Sequence, residues 1–252
     1  MGLHMSREKI KTAMILAAGF GTRMKNLANH LPKALLQLGN SNLLHLNLLK
    51  LRNAGINTVV INLHHFGNMI KKYIIENPIQ ELTIHFSEEE KILGTGGGIA
   101  NAEMFFKNEI ILVVNSDILS DLFLLEFINH FFQTKPLASM AVLPSRNYKE
   151  YSLVTYDDQK LSGFIRKNEV PKIGKKTAIF MGYQILTPQA RNYLKPTFSS
   201  IMKDFYLPAV KQNQNVSVYI HNGKWFDVGN KEKYLETIRF IETKKINLNN
   251  LL

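Results

Sequence analysis

The strongest constraint on the fold is an alternation, in the first half of the chain, between short apolar runs and longer stretches with helical periodicity. Repeated units of this kind are typical of a parallel sheet whose strands are joined by crossover helices. Strands are predicted at Thr12 to Ala17, Thr58 to Asn62, Leu82 to Phe86, Ile110 to Val114 and Ala138 to Leu143. Helices are predicted at Asn42 to Ala54, from about Gly67 to Ile75, after Gly98, and at Asp121 to Phe132. The sequence therefore predicts an α/β fold.

The pattern changes in the second half, where Tyr151 to Ile165 alternates apolar and polar residues and predicts an antiparallel hairpin. Further strands are predicted at Ala178 to Leu186 and Val216 to Ile220, and helices at Ile201 to Lys211 and Lys231 to Thr243. We expect a three-layer, Rossmann-like fold with a mixed, mainly parallel sheet and helices on both faces. Without an internal repeat or a low-complexity linker, residues 10–252 are predicted to form a single domain. Residues 1–9 are predicted to be a tag or a disordered segment.

Composition narrows the chemistry and the partners. The 252 residues include no cysteine, which excludes a cysteine nucleophile and thiolate-bound zinc, so a bound metal would be a hard cation such as magnesium. With 31 Lys and Arg against 20 Asp and Glu, the net charge of +11 favours anionic partners, and a basic nucleic-acid-binding domain is one alternative. The cations are scattered and no nucleic-acid-binding motif is present, so we expect no nucleic-acid partner. No apolar run approaches the length of a membrane span, and we expect a cytoplasmic protein.

A glycine-containing segment follows the first predicted strand. Residues 16–24 read LAAGFGTRM, and Lys33 lies ten residues farther on. Small residues let backbone N–H groups approach a polyanion, and loops at the carboxyl ends of strands are where open α/β sheets bind ligands. The segment lacks the Gly-Lys-Ser/Thr of a Walker loop, and Met24 stands where a dinucleotide fingerprint has its third glycine. Arg23 could bind phosphate oxygens bidentately and Lys33 as a point charge, which suits a triphosphate. The alternative is a tight turn beside two surface cations.

Three later motifs also carry candidate functional residues. Residues 93–98 (LGTGGG) could lie flat against a nucleobase or ribose, although such a turn is as often a plain connection. Asp117, in the NSD motif at 115–117, follows an apolar strand and could coordinate magnesium or cap the next helix, for which Asp121 is at least as well placed. Asp227, in the WFDVG motif at 225–229, could be a second metal ligand or part of a helix N-cap.

Together the four motifs closely resemble those of the sugar-phosphate nucleotidyltransferases, which join a nucleoside triphosphate to a sugar 1-phosphate and release pyrophosphate. They run from residue 16 to residue 229 in the family's order, so the resemblance covers nearly the whole chain. It implies the nucleotide-diphospho-sugar transferase fold, with a nucleotide-binding half at about 10–135 and a sugar-binding half at about 136–245. It also implies a Mg²⁺ cofactor bound by Asp117 and Asp227. The implied catalytic residues are Arg23, Lys33 and Asp117, and the implied nucleotide-binding residues are Ala17, Ala18, Gly19, Gly21, Thr22, Thr95 and Gly96.

Within the family, the chain looks most like short bacterial enzymes similar to N-acetylmuramate-1-phosphate uridylyltransferase. The supporting features are residues 62–67 (NLHHFG), the triple glycine at 96–98 and the chain length. This resemblance implies UTP and an amino sugar 1-phosphate, such as N-acetylmuramate 1-phosphate, as substrates. Enzymes that load guanosine onto mannose or heptose 1-phosphate share the stretch at 89–97 (EEKILGTGG) and remain the alternative.

The sugar side departs from the family pattern. Many members bind the sugar phosphate through the lysine of a Glu-Lys-Pro segment, whereas here the comparable residues 164–169 read FIRKNE. Arg166 or Lys167 could take that role, or either could be a plain exposed cation. Gly182 matches the glycine that usually lines the sugar pocket. The adjacent His64 and His65 would point to opposite sides of a strand and are expected to be sugar-side or core residues, not ligands of one ion.

The resemblance implies an in-line attack by the sugar 1-phosphate on the α-phosphorus of the triphosphate. Arg23 would bind the β- and γ-phosphates, Lys33 the α-phosphate or the sugar phosphate, and Asp117 and Asp227 the magnesium ion. A non-catalytic, nucleotide-sensing member of the same fold is the alternative that keeps the loop without the chemistry. The expected partners are the two small-molecule substrates, with no membrane association and a monomeric or homodimeric state.

Overall fold

The computed structural model describes residues 9–19 and 31–252, and in this part of the chain the predicted apolar runs form strands. The strands are β1 (Thr12–Leu16), β2 (Gln37–Leu38), β3 (Ser41–Asn42), β4 (Thr58–Leu63), β5 (Thr83–Glu88), β6 (Ile111–Asn115), β7 (Ile118–Ser120), β8 (Ala138–Pro144), β9 (Leu153–Asp157), β10 (Lys160–Ile165), β11 (Lys176–Leu186), β12 (Val216–Ile220) and β13 (Trp225–Asp227). The helices are α1 (Leu43–Asn53), α2 (Gly67–Glu76), α3 (Gly94–Asn101), α4 (Leu124–Thr134), α5 (Pro188–Arg191), α6 (Leu207–Lys211) and α7 (Lys231–Thr243). A π-helical turn, Met202–Tyr206, runs directly into α6.

Nine strands form one sheet in the order β5-β4-β1-β6-β11-β8-β12-β10-β9. The first four strands are parallel, β11 runs antiparallel to both of its neighbours, β8 and β12 are parallel, and β9 and β10 form the predicted antiparallel hairpin. Strands from both halves of the chain therefore share one sheet. The sheet is mixed, and the expectation of a mainly parallel sheet holds only for its first half.

Helices cover both faces of the sheet, as predicted. Because successive side chains of a strand point to opposite faces, Ala13 and Ile15 of β1 pack with α1, α2 and α4, whereas Met14 packs with α3, α5 and the π-helical turn. Helix α7 lies outside α1, since its Tyr234 and Ile241 share a hydrophobic cluster with Leu43 and Leu46 of α1. The sheet is thus the central layer of an α/β/α sandwich.

Helix α1 holds the segment that follows β6. Its N-cap is Asn42, whose side-chain oxygen accepts a hydrogen bond from the His45 N–H at 2.9 Å. Two buried polar side chains of α1 donate to carbonyls of β7, Asn47 to Ile118 at 3.0 Å and Lys50 to Ser120 at 2.9 Å. These bonds attach β7, and with it the residues just before β7, to the body of the domain.

Three predictions of local structure need correction. The glycine-rich segment predicted as a turn is the start of α3, which begins at Gly94. Helix α4 begins at Leu124, three residues later than predicted, because Asp121 bonds to the His221 ring and to the Lys224 N–H instead of capping the helix. The small antiparallel sheet of β7 and β13 was missed, since its three-residue strands carry too short a pattern to detect.

Across residues 9–19 and 31–252, no helix combines the length and the apolar character that crossing a membrane requires.

Candidate active site

A cleft of about 360 Å³ opens at the carboxyl ends of the parallel strands. Its walls are the segment after β1, Asn62 near the end of β4, the start of α3, the short helix at Lys33 and the segment after β6. The lining residues are Leu16, Ala17, Ala18, Gly19, Lys33, Ala34, Asn62, Ile92, Gly94, Thr95, Asn115, Ser116 and Asp117. Three of the four predicted motifs therefore contribute to one site, at the position where α/β sheets bind ligands.

The segment after β1 forms one wall of the cleft. Ala17 and Ala18 are buried, Gly19 is exposed, and the Ala17 N–H donates to the side-chain oxygen of Asn62 at 2.7 Å. Three predicted residues of this motif, Gly21, Thr22 and Arg23, lie outside the described residues. The predicted roles of these three residues stay predictions.

Lys33 lies across the cleft from this wall. Pro32 precedes it in an extended conformation (φ −64°, ψ 144°) and starts the short 3-10 helix Lys33–Leu35. The Lys33 Nζ donates to the Gly229 carbonyl at 2.6 Å and lies 3.7 Å from Oδ2 of Asp117. One cation thus contacts both of the aspartate motifs, which are more than 100 residues apart in the sequence. The sequence placed Lys33 in the site, but only the fold shows what it contacts.

Asp117 and Asp227 come together through the pairing of β7 with β13. Asp227 is opposite Ile118 in this antiparallel pair, and the Val228 N–H donates to the Asp117 carbonyl at 2.8 Å. The N-cap of α7 is Asn230, whose side chain accepts from the Lys233 N–H, so Asp227 is not the helix cap. The two aspartates therefore lie on neighbouring, hydrogen-bonded backbone segments, and of the two Asp117 is the one that lines the cleft.

Asp227 already has two hydrogen-bond partners. Its Oδ1 accepts from the Gly229 N–H at 2.9 Å, and its Oδ2 accepts from the Lys233 ammonium at 2.6 Å. The same ammonium lies 2.9 Å from Oε1 of Glu150 and donates to the hydroxyl of Tyr151 at 2.5 Å. Sequence reasoning missed Lys233, because a lysine in the first turn of an amphipathic helix looks like any solvated cation.

The charges of this cluster shift the pKa values of its members. Burial lowers the pKa of Lys233, but the hydrogen bonds to Asp227, Tyr151 and Glu150 outweigh burial and raise it overall. The hydrogen bond from Lys233 lowers the pKa of Glu150, and burial raises the pKa of Tyr151 to about 12. The Lys233 ammonium therefore lies between the carboxyl groups of Asp227 and Glu150.

The start of α3 forms the opposite wall. Gly94 adopts a left-handed conformation (φ +70°), and Thr95 lines the cleft, with its hydroxyl oxygen accepting from the Ile201 N–H at 3.1 Å. Gly96 is buried, and its N–H donates to the Ser199 carbonyl at 3.1 Å. The predicted contact of Gly96 with the base is therefore not available through this N–H group, and Gly94 and Thr95 are the residues of the motif that face the cleft.

The predicted sugar-side residues separate in the structure. Gly182 has a left-handed φ of +87° and packs against Asn115 and Ile118, on either side of Asp117. Arg166 and Lys167 are exposed and follow β10 in a turn whose N–H groups bond to Glu169 and Ser152, respectively. Gly182 is thus adjacent to the cleft, whereas neither Arg166 nor Lys167 lines it.

The two adjacent histidines do not form a metal site. Nδ1 of His64 is 2.8 Å from the Glu89 carbonyl, and the His65 ring packs on Phe66 with a centroid distance of 4.0 Å. Throughout the described ranges, no group of three or more His, Cys, Asp or Glu side chains is positioned to hold a metal ion. A metal in the cleft would have to be shared between Asp117, Asp227 and its ligand.

The fold and the site define an α/β protein with a cleft at the carboxyl edge of its sheet, lined by the small residues after β1, by Lys33 and by Asp117. The nucleotidyl transferase family profile matches residues 12–244, and the chain belongs to this family. A mannose-1-phosphate guanyltransferase of Debaryomyces hansenii is 28% identical over 228 residues, and the guanylyltransferase catalytic subunit beta of Xenopus tropicalis is 29% identical over 229 residues. Each alignment covers 88% of this chain but 62% of the relative, so the chain spans about three-fifths of their length.

Solved structures of related fold agree with this assignment. HddC from Yersinia pseudotuberculosis superposes with a TM-score of 0.76 at 22% identity, covering 92% of this chain and 100% of HddC. A UDP-glucose pyrophosphorylase from Acinetobacter baumanii superposes with a TM-score of 0.78 at 17% identity, covering 95% of each chain. The named relatives at the sequence level are mannose-1-phosphate guanylyltransferases, and the expected likeness to muramate uridylyltransferases finds no support among them.

Proposed function

We propose that this protein transfers a nucleotidyl group from a nucleoside triphosphate to a sugar 1-phosphate, giving a nucleotide-sugar and pyrophosphate. The observation that carries the proposal is the position of Lys33, whose ammonium is 2.6 Å from the Gly229 carbonyl and 3.7 Å from the Asp117 carboxylate, at the mouth of the cleft. A cation held between two aspartate motifs, in a cleft that the small residues 17–19 also line, suits a reaction in which phosphate charge moves. The family assignment supports the same chemistry.

In this proposal an oxygen of the sugar 1-phosphate attacks the α-phosphorus and forms the new P–O bond. The bond from the α-phosphorus to the bridging oxygen of the β-phosphate breaks, and pyrophosphate leaves with that oxygen. The segment at 17–19 places its backbone against the phosphates, and Lys33 neutralises charge that develops at the α-phosphate or the sugar phosphate. Arg23 is proposed to bind the β- and γ-phosphates.

The residues at the carboxyl edge fit a divalent cation such as Mg²⁺. Asp117 and Asp227 supply hard carboxylate oxygens on two hydrogen-bonded strands, which is the ligand type that this cation prefers. When bound there, the ion would polarise phosphate oxygens and bring the two substrates together. The Lys233 ammonium and the Gly229 N–H hold the Asp227 carboxylate in place.

For the substrates we propose a guanosine nucleotide and mannose 1-phosphate or a similar hexose or heptose 1-phosphate. The support is the names of the sequence relatives and a structural neighbour, HddC, which was solved with GMP-PN. UTP with an amino sugar 1-phosphate, which the sequence details favoured, is the less supported choice. Thr95, at the wall of the cleft, is the proposed base-side contact, and Gly182 the proposed sugar-side residue.

A pyrophosphate-release assay tests the proposal. GTP, UTP, dTTP and ATP would each be combined with mannose, glucose and N-acetylmuramate 1-phosphate in the presence of Mg²⁺, with Asp117→Asn as the inactive control. We expect the highest turnover with GTP and mannose 1-phosphate, and a loss of about 1,000-fold in Asp117→Asn with the melting temperature preserved, since removing one charge-stabilising group typically costs about this much. Turnover that survives the Asp117→Asn substitution would rule out the assigned metal ligand, and the absence of turnover with every pair would rule out the function.

A further inference from the structure

A chain of buried hydrogen bonds joins the two walls of the cleft. The Ala17 N–H donates to Oδ1 of Asn62 at 2.7 Å, and Nδ2 of Asn62 donates to Oε1 of Glu89 at 2.7 Å. The other carboxylate oxygen, Oε2 of Glu89, accepts from the Leu93 N–H at 2.8 Å. Asn62 and Glu89 are 3% and 5% exposed, so the connection runs through the interior of the domain.

We propose that Asn62 and Glu89 form a positioning pair that sets the separation of the two walls and thereby the affinity for the nucleoside triphosphate. One end of the pair holds the segment after β1, which would carry the phosphates, and the other holds the residue directly before α3. Both polar groups of the Asn62 side chain are engaged, one with the Ala17 N–H and one with Glu89, so Asn62 acts through the backbone it holds. The inference rests on the proposed function and adds two residues to its nucleotide-binding site.

The chemistry of the pair explains why a carboxylate is buried here. Burying an ionised carboxylate is costly unless hydrogen bonds compensate it. Both groups that face Glu89, the Asn62 amide and the Leu93 N–H, are donors. A glutamine at this position would turn one of its own N–H groups towards a donor and leave both donors unsatisfied. With asparagine at position 62, only an acceptor with two oxygens at position 89 completes the connection.

The triple glycine of α3 provides the space for the pair. A Cβ atom at Gly98 would lie 2.7 Å from Oε1 of Glu89 and 2.8 Å from Nδ2 of Asn62, closer than any real side chain tolerates. The absence of a side chain at this position lets α3 approach β4 with the polar pair between them. His64 adds a further restraint, because its ring nitrogen Nδ1 is 2.8 Å from the Glu89 carbonyl, an acceptor, and therefore donates to it.

Exchanging the amide and the carboxylate between positions 62 and 89 tests the pair. Glu89→Gln places donor against donor, and Asn62→Asp places carboxylate against carboxylate, so each single variant breaks the connection. The double variant Asn62→Asp/Glu89→Gln restores it, because the carboxylate introduced at position 62 accepts from the Ala17 N–H and from the new amide at position 89, whose oxygen accepts from the Leu93 N–H. The net charge is the same as in the wild type. Glu90→Gln, which removes an exposed neighbouring carboxylate, is the matched control.

The measurements are the dissociation constant of GTP by calorimetry, and the KM and kcat of pyrophosphate release with GTP and mannose 1-phosphate. Each single variant is expected to raise the dissociation constant and the KM for GTP by at least about tenfold, the equivalent of one unsatisfied buried group. We expect the KM for mannose 1-phosphate to stay within about twofold, and the double variant and Glu90→Gln to bind GTP within about threefold of the wild type.

Two results would overturn the pair's role. One is a set of single variants that melt at lower temperature yet bind GTP as the wild type does, which would mark the pair as merely structural. The other is a double variant that binds GTP no better than the single variants. A wild type that binds GTP but releases no pyrophosphate would instead refute the proposed function, while the comparison of GTP dissociation constants would still decide the role of the pair.

Discussion

Gly182→Ala would add a methyl group that clashes with Asn115 and Ile118, the residues next to Asp117. A Cβ atom at this position would lie 2.7 Å from Cδ1 of Ile118 and within 3.1–3.2 Å of the Asn115 side chain, whereas carbon atoms ordinarily approach to about 3.5–4.0 Å. The neighbouring groups would have to move by a little under about 1 Å. Cδ1 of Ile118 can move by a side-chain rotation, whereas the Asn115 Cβ at 3.2 Å is fixed to the backbone, so we expect part of the displacement to reach Asp117, the proposed metal ligand.

Gly174→Ala provides the matched control for this substitution. Gly174 has almost the same left-handed φ, +85° against +87° at Gly182, so alanine costs a similar roughly 1–2 kcal/mol of backbone strain in both variants. A Cβ atom at Gly174 would meet no described atom within 4 Å. The difference between the two variants therefore isolates the steric clash, for which overpacking of this kind costs about 1–3 kcal/mol.

Thermal denaturation and pyrophosphate release measure the two consequences. We expect Gly182→Ala to melt about 5 °C below Gly174→Ala, since a protein of this size loses about 2–4 °C per kcal/mol. We expect its kcat/KM to fall at least about tenfold, because displacing reacting groups by about 1 Å can cost about 100-fold. Equal melting temperatures and equal activities in the two alanine variants would refute the argument that Gly182 makes room for the Asp117 segment.

Three further predictions concern lysine and arginine side chains. Lys233→Met should lower the Mg²⁺ concentration for half-maximal activity by at least about threefold, because the ammonium competes with a cation for Asp227. An unchanged half-maximal Mg²⁺ concentration would contradict this competition. Burial lowers the pKa of Lys50 from 10.5 to about 8, so the folded state binds fewer protons than the unfolded state between these values. The free energy of unfolding should therefore rise from pH 8 to 10 relative to Lys50→Met, and parallel pH profiles from chemical denaturation would count against it. Arg191→Met, which removes a buried guanidinium paired with Glu103 at 2.8 Å, should destabilise by about 3 kcal/mol without changing the KM for GTP, and a shift of less than about 2 °C in melting temperature would disprove it.

Lys233 also orients the Asp227 carboxylate. The ammonium lies between Asp227 and Glu150, with Tyr151 completing its three hydrogen bonds. A lysine has three donors, so all of its hydrogen-bonding capacity is used within this cluster. Asp227 is therefore oriented before a cation arrives, and in the proposed function binding of that cation has to share or displace the ammonium.

The sequence by itself determined the alternation of strands and helices and the motif positions at strand ends. Apolar runs such as Ile111–Val114 have one stable environment, a sheet covered on both faces, and this places Asp117 at a carboxyl edge. Small residues after β1 let backbone N–H groups approach a polyanion, and Lys33 supplies a positive charge, so the sequence indicated a phosphate site there. These inferences need only periodicity and the order of residues along the chain.

The tertiary structure decided which residues meet. The contact of Lys33 with both aspartate motifs depends on the pairing of β7 with β13, whose strands are too short to leave a periodic signal. Likewise, the glycines at 96–98 looked like a flexible turn, but packing against Ser199 and the pair of Asn62 and Glu89 makes them the buried start of a helix. Backbone freedom is local and visible in sequence, whereas the partners that restrict it come from distant parts of the chain and appear only once the fold brings them into contact.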